Sequence, residues 1–312
     1  MPRNLANDSL KLILALMVVG LHTDFLIETS TVGTHITVNG IFRTAVPIFF
    51  VINGYYLANA LKDKQSFLAW GKKITLAYAF WMTVYLPFYF PLHETTLISA
   101  LVKLTRYILF GYYHLWYLCG LLYAVALLYF LRKKSDKSLL VIAIFLFLIG
   151  AMIQYYIYYT KITLPYYLYR HFLFLAFPMV TAGYLIRKGY GSALSDRSVR
   201  LLVLIGYLGL LAESMVSLIH RTDNRGFDIY LFLMLFCPMI FILSNRSTST
   251  IRHDHLSKLS SAIYFLHPLF IWAAGTLFYI PSGTPTFIFA VALCGVAYYP
   301  LFMLSRRIKF IL

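Results

Sequence analysis

Apolar runs of about 20 residues recur along the whole chain, and each is long enough to cross a hydrocarbon core of ~30 Å as an α-helix. Of the 312 residues, 61% are hydrophobic and only 12% are charged, whereas about 25% are charged in a soluble domain. A membrane β-barrel would alternate apolar and polar residues over ~10 positions, but residues 12–21 and 139–150 are apolar at nearly every position. The chain is therefore predicted to be an all-α, polytopic membrane protein.

Ten segments are predicted to cross the membrane, and together they form a single membrane domain over residues 1–312 with no extramembrane domain. They cover residues 5–25, 41–61, 74–91, 112–131, 138–157, 166–186, 200–218, 228–244, 259–279 and 285–305. A shorter apolar segment, 97–110, carries Lys103 and Arg106 and is predicted to be a re-entrant or interfacial helix.

The distribution of Lys and Arg predicts the orientation of the chain. If the N-terminus is cytoplasmic, 20 of the 27 basic residues fall on the cytoplasmic side, so both termini are predicted to be cytoplasmic. The excess of basic residues, which gives a net charge of +16, is interpreted as a signal for membrane orientation. A membrane protein uses basic residues for orientation, so no nucleic-acid partner is expected.

Two ionisable residues lie on one face of the first predicted helix. Lys11 and His22 are separated by three helical turns and about 20° of rotation, at a distance of roughly 16 Å. With Ala15 and Val18 between them, this stripe is predicted to line a passage for an elongated ligand, because ionisable groups at membrane depth usually mark a site. The structural alternative is that Lys11 extends to the lipid headgroups and His22 bonds a neighbouring carbonyl.

Other polar or aromatic side chains within the predicted spans are candidate contacts for a ligand. They are Arg43, Asn53, His114, Trp116, Arg170, His171, Glu213 and His267. Glu213 needs a cationic or hydrogen-bonding partner, for which Arg170, Arg43 or a histidine is expected. Gly54 predicts a close approach between helices. The histidines are too scattered to indicate a metal site, and the chain has no glycine-rich phosphate loop.

Four segments resemble acyltransferase family 3, whose members are integral membrane proteins that O-acylate bacterial surface glycans. In the family's order, they are DSLKLILALMVVGLH at 8–22, VPIFFVINGYYL at 46–57, HLWYL at 114–118 and SAIYFLHPLF at 261–270. The first-helix motif of the family is a basic residue, ten further residues and a histidine. Lys11 and His22 match this spacing, although Lys11 replaces the usual arginine and Asn53 stands where a serine is common.

The resemblance implies a multi-pass protein of the bacterial inner membrane that moves an acetyl group from cytoplasmic acetyl-CoA to a sugar hydroxyl. The acceptor would be a cell-envelope polysaccharide or a lipid-linked glycan. His22 would be catalytic, either as a general base or as a transient acetyl carrier, and Lys11, Lys72 and Lys73 would bind the donor. The eight candidate contacts would then stabilise the oxyanion or bind the acceptor, without a metal.

A transporter or flippase for a glycan or lipid is the alternative from another functional class. In that case Lys11, His22 and Glu213 would lie along a translocation path. Transporters often contain inverted repeats and paired broken helices, and the sequence shows no such symmetry. Acetyl transfer is therefore the leading expectation.

Overall fold

The computed structural model describes residues 3–90, 96–162, 164, 169–170, 172–219 and 227–312, and in these ranges the chain is almost entirely helical. The helices are α1 (Leu5–Thr23), α2 (Thr31–Val38), α3 (Ala45–Tyr56), α4 (Lys64–Val84), α5 (Leu86–Tyr89), α6 (Leu97–Phe110), α7 (Trp116–Leu131), α8 (Asp136–Thr160), α9 (Phe177–Arg187), α10 (Asp196–Ile219), α11 (Leu233–Asn245), α12 (His255–Thr276) and α13 (Thr284–Arg307). Strands β1 (Arg3–Asn4) and β2 (Thr250–Ile251) form an antiparallel pair.

Seven helical stretches in the described residues are long and apolar enough to cross a membrane, which confirms the prediction of an all-α membrane bundle. They are Leu5–Thr23, Thr31–Asn59, Tyr113–Leu131, Asp136–Thr160, Asp196–Ile219, His255–Thr276 and Thr284–Arg307. The helical stretches Phe172–Arg187 and Leu233–Asn245 are apolar but shorter. The count of ten crossings and the side of each terminus stay predictions.

Helix α4 begins ten residues before position 74, where the third predicted crossing starts. The Asp63 carboxylate caps the helix by accepting a hydrogen bond from the backbone N–H of Ser66 at 2.8 Å. Hydropathy alone misses a polar first turn of this kind, because the helix starts outside the apolar run. Lys72 and Lys73 consequently lie within α4 rather than before it.

Helix α6 has the predicted bounds, and Thr96 caps its first turn. Its last turn lies against two neighbouring helices. The Tyr78 hydroxyl of α4 donates to the carbonyl oxygens of Tyr107 at 3.0 Å and Ile108 at 2.9 Å, and the Tyr123 hydroxyl of α7 donates to Leu109 O at 2.9 Å. Ile108 O and Leu109 O are among the carbonyl groups that the end of a helix leaves without an internal partner, whereas Tyr107 O also accepts the backbone N–H of Gly111 at 2.9 Å.

Helices α3 and α9 cross at two glycines, which confirms the close approach predicted from Gly54. A Cβ atom on Gly54 would lie 2.0 Å from Val180 O, and one on Gly183 would lie 2.0 Å from Val51 O. The two helices can approach this closely only because glycine has no side chain. Any larger residue at either position would push the helices apart.

Helices α1 and α12 run side by side in the same direction. Ser260 Oγ near the start of α12 donates to Lys11 O at 2.8 Å, and His267 packs beside His22 further along both helices. The bundle thus has a Lys11 end, where α1 and α12 begin, and a His22 end, where they approach their C-termini.

Candidate functional site

A cavity of about 590 Å³ opens at the Lys11 end of the bundle. Its wall is built from the start of the chain, from α1, α3, α4, α7 and α12, and from the C-terminal residues. The lining residues are Arg3, Asn4, Asp8, Lys11, Phe49, Ile52, Asn53, Tyr56, Lys73, Ile74, Ala77, Tyr117, Leu118, Leu121, Ser257, Ser260, Ser261, Tyr264, Phe265, Phe310 and Leu312. Charged groups and serines lie at one part of this wall, and apolar and aromatic groups form the remainder.

A buried carboxylate holds two of the cavity's cations. Asp8, which is 2% exposed, accepts hydrogen bonds from Arg3 at 2.7 and 3.0 Å and from Lys11 Nζ at 3.2 Å. Lys11 Nζ also lies 3.4 Å from Ser257 Oγ. Asp8 was missed by the sequence reasoning, although its spacing of three residues from Lys11 is a signal for an ion pair on one helix face.

The structure separates residues that the sequence grouped together. Lys73 lines the cavity, whereas the neighbouring Lys72 is not part of its wall. Asn53 also lies in the cavity wall, where its Nδ2 donates to the Tyr117 hydroxyl at 2.6 Å and to Phe49 O at 2.9 Å. Asn53 is thus placed to contact a molecule in this cavity.

His22 is half-buried at the other end of α1 and is held by an aromatic hydroxyl. Its Nδ1 atom lies 2.8 Å from the Tyr113 hydroxyl, and the two rings are 4.6 Å apart. Tyr113 has φ of 46°, a backbone conformation that is uncommon for residues other than glycine and that recurs at functional sites. No sequence pattern indicated this pairing, because it depends on the turn before α7.

Three of the predicted histidines form one cluster. The His267 ring stacks on His22 at 5.3 Å and meets His114 at 5.3 Å. His267 Nδ1 lies 2.9 Å from Ile263 O, which can accept but not donate, so Nδ1 carries a proton. The remaining nitrogen of His267 and both ring nitrogens of His114 are buried without a hydrogen-bond partner in the described part of the chain.

The cavity ends before it reaches this cluster. Tyr264 and Tyr117 belong to its wall, with ring centroids 5.6 Å apart, and the Tyr264 ring lies 5.2 Å from that of His114. His22 is not a lining residue. Ala15 and Val18 are 0% and 3% exposed within the hydrophobic core, so the predicted passage lined by this stripe was wrong. Small residues at these positions serve helix packing instead.

At the His22 end, two predicted arginines share a carboxylate. Arg43 Nη1 lies 2.5 Å from Asp228 Oδ1, and Arg170 Nη1 lies 3.2 and 3.3 Å from the two Asp228 oxygens. Arg170 also lies over the Trp116 ring, at 5.0 Å from its centroid. Asp228 precedes α11 and was not singled out by the sequence reasoning.

Glu213 has partners other than those expected. It accepts hydrogen bonds from the Tyr155 hydroxyl at 2.6 Å and from the backbone N–H groups of Leu231 at 2.8 Å and Phe232 at 3.0 Å. The prediction of a hydrogen-bonding partner is therefore confirmed, but the candidates Arg170, Arg43 and a histidine were wrong, because Tyr155 and the backbone before α11 supply the donors. His171 lies outside the described residues.

Comparison with known proteins gives a family match over nearly the whole chain. The sequence model of acyltransferase family 3, described as an acyltransferase domain, matches residues 4–305. No solved structure matches.

Curated relatives include a serine/alanine racemase of Enterococcus gallinarum, which is 31% identical over 88% of this chain and 42% of its own length. An amino-acid racemase of Enterococcus faecalis is 30% identical over 46% of this chain and 21% of its own length. The chain thus spans less than half the length of these relatives. Since the family match covers almost all of its residues, the chain belongs to acyltransferase family 3.

Proposed function

We propose that this membrane acyltransferase moves an acetyl group from acetyl-CoA to a sugar hydroxyl of a cell-envelope polysaccharide or lipid-linked glycan. The observation that carries the proposal is the arrangement along α1. Three cations, Arg3, Lys11 and Lys73, line a cavity at one end, and the imidazole of His22 lies with two other histidines at the opposite end.

The orientation belongs to the same proposal. The Lys11 end is cytoplasmic, both termini lie on that side, and ten segments cross the bacterial inner membrane. The excess of Lys and Arg near this end supports this orientation. The donor then enters from the cytoplasm, and the acceptor reaches His22 from the extracytoplasmic side.

In the proposed donor site, the phosphates of acetyl-CoA bind Arg3, Lys11 and Lys73, and the pantetheine arm occupies the apolar part of the cavity. Charge-assisted contacts to phosphate are among the stronger hydrogen bonds in proteins. Asp8 orients Arg3 and Lys11 before the donor arrives. Tyr264 closes the cavity below the histidines, so its side chain must move before the thioester reaches His22.

In the proposed reaction, Nδ1–H of His22 donates to the Tyr113 hydroxyl, which leaves Nε2 free to act as the base. Nε2 takes the proton of the sugar hydroxyl as the oxygen attacks the thioester carbonyl carbon. The carbon–oxygen bond forms, the carbon–sulfur bond breaks, and the CoA thiolate leaves with the proton from His22.

The proposal is tested with inside-out membrane vesicles that contain the protein and receive radiolabelled acetyl-CoA. Label bound covalently to vesicle glycan in the wild type but not in the His22→Ala variant supports acetyl transfer. Label that accumulates without covalent attachment supports the transporter alternative instead. Serine is added as a second acceptor in parallel, because it bears a hydroxyl nucleophile and the relative in Enterococcus gallinarum is named a serine/alanine racemase.

The Lys11→Ala variant is expected to raise the KM for acetyl-CoA about tenfold, because one charge-assisted contact to a phosphate is lost. Lys11→Arg keeps the charge and should retain a KM within a few fold of the wild type. Lys64→Ala is the matched control, since Lys64 is an exposed cation of α4 outside the cavity wall. A lower kcat at unchanged KM in Lys11→Ala would argue against a phosphate contact.

The Tyr113→Phe variant is expected to lower kcat about tenfold, because the hydrogen bond that orients the His22 ring is lost. The pH profile of kcat should shift as well, since Tyr113 contacts the group that titrates. Tyr298→Phe is the matched control, because its hydroxyl bonds another histidine, His255, away from the cluster. An unchanged kcat and pH profile in Tyr113→Phe would remove Tyr113 from the mechanism.

A further inference from the structure

Two guanidinium groups converge on one carboxylate at the His22 end. Arg43 and Arg170 both bond Asp228, and each pair is partly accessible, with the arginine side chains 21% and 27% exposed. Two cations and one anion leave these three side chains with a net positive charge. The two guanidinium groups carry one more charge than Asp228 balances, and both are partly exposed, so an anionic ligand can approach them.

The surroundings hold these groups in place. Gln154 Oε1 accepts hydrogen bonds from the backbone N–H groups of Asp228 at 2.8 Å and Ile229 at 2.9 Å. Asn39 Oδ1 accepts a hydrogen bond from Arg43 Nη2 at 2.8 Å. Arg43 Nε is buried and has no hydrogen-bond partner among the described residues. Because these bonds hold the Arg43 guanidinium in place, its partly exposed N–H groups can bind an anionic oxygen without further ordering of the side chain.

The same groups lie beside the proposed reaction centre. Trp116 directly follows the turn Tyr113–Leu115, and the Tyr113 hydroxyl lies 2.8 Å from His22 Nδ1. Phe42, the neighbour of Arg43 in the chain, has its ring 6.1 Å from that of Phe25, three residues after His22. The Trp116 ring lies under the Arg170 guanidinium and is itself partly exposed. A ligand that is bonded to the arginines and packed on the indole would therefore be held close to the imidazole.

We infer that Arg43, Arg170 and Trp116 form a subsite for an anionic group on the acceptor, either a carboxylate or a phosphate attached to the sugar. The arginines bind the anionic oxygens, and the indole face packs against the sugar ring. A neutral acceptor would lose these charged contacts. The inference rests on the proposed function for the role of the ligand as acyl acceptor, but its binding can be measured without turnover.

The test measures binding of three matched probes to the wild-type protein in lipid nanodiscs by isothermal titration calorimetry, in the absence of donor. The probes are octyl glucuronide, octyl glucoside 6-phosphate and octyl glucuronamide, whose amide is a neutral replacement for the carboxylate. The expected Kd of at least one charged probe is about tenfold lower than that of the amide. Tighter binding of the glucuronide or of the phosphate identifies which anion the subsite takes.

Variants assign the preference to the arginines. Arg170→Gln should bring the Kd ratio of charged to neutral probe close to one, and Arg170→Lys, which keeps the charge without the planar fork, should retain part of it. Lys161→Gln removes an exposed cation at the end of α8 and should leave the ratio unchanged.

Equal affinity of the wild type for all three probes would overturn the inference, as would an unchanged ratio in both Arg170 variants. The wild-type comparison needs no substitution, so a variant that fails to fold does not remove the test. Acetyl transfer is measured separately with the same probes. Preferential binding of a charged probe without any transfer counts against the proposed reaction but supports the anionic subsite.

Discussion

The His22→Ala variant is expected to insert and fold but to lose acetyl transfer by about 10²- to 10⁴-fold, the usual contribution of a positioned general base. His22 is half-buried, so its removal leaves a small space between Tyr113 and His267 rather than a large core cavity. Transfer of radiolabel from acetyl-CoA to glycan in vesicles measures the loss. The yield and gel-filtration profile of the purified variant show whether the bundle is intact.

A second histidine provides the control for this experiment. His255 also bonds a tyrosine hydroxyl, that of Tyr298 at 2.6 Å, but it lies at the Lys11 end and outside the cavity wall. His255→Ala should therefore transfer acetyl groups at the wild-type rate. Near-normal transfer by His22→Ala would exclude His22 as the base and would leave His267 and His114 as the candidates for that role.

The contrast between Lys11 and His22 shows how far sequence reasoning reaches at this site. Helical periodicity places both residues on one face of α1, and the structure has them on a helix with the expected start. Periodicity does not say which neighbour that face meets. Ala15 and Val18 pack in the hydrophobic core and separate the two ends of the stripe. Lys11 therefore lies in the cavity wall, whereas His22 lies in the histidine cluster.

The partners of the charged residues were the least predictable part. Glu213 bonds the backbone before α11, and Asp228 bonds two arginines from distant parts of the chain. Hydropathy indicates how deep in the membrane a residue lies, but it does not indicate which neighbouring helix its side chain faces. By contrast, the short-range pair of Asp8 and Lys11 has a spacing from which its contact could be deduced.

The largest expected loss of stability follows from removing the carboxylate between the two arginines. Asp228→Ala leaves Arg43 and Arg170 close together without their shared anion. Breaking a fully buried ion pair costs about 3–5 kcal/mol of unfolding free energy, and this is the upper limit here because the two arginines are partly exposed. The apparent Tm in detergent should fall by on the order of 10 °C. Asp228→Asn keeps an oxygen acceptor for one guanidinium and should lose less. Tryptophan fluorescence during heating measures both shifts.

An exposed ion pair provides the matched comparison. Asp196 bonds Arg246 at 2.7 Å, but its side chain is 66% exposed, so Asp196→Ala should cost at most about 1 kcal/mol. Arg246 also keeps its bonds to Gly191 O and Leu194 O. If Asp228→Ala and Asp196→Ala lower the Tm equally, the two arginines do not depend on Asp228 for their placement. A much larger loss in Asp228→Ala, restored in part by adding octyl glucuronide, would indicate that an external carboxylate can replace the missing one between Arg43 and Arg170.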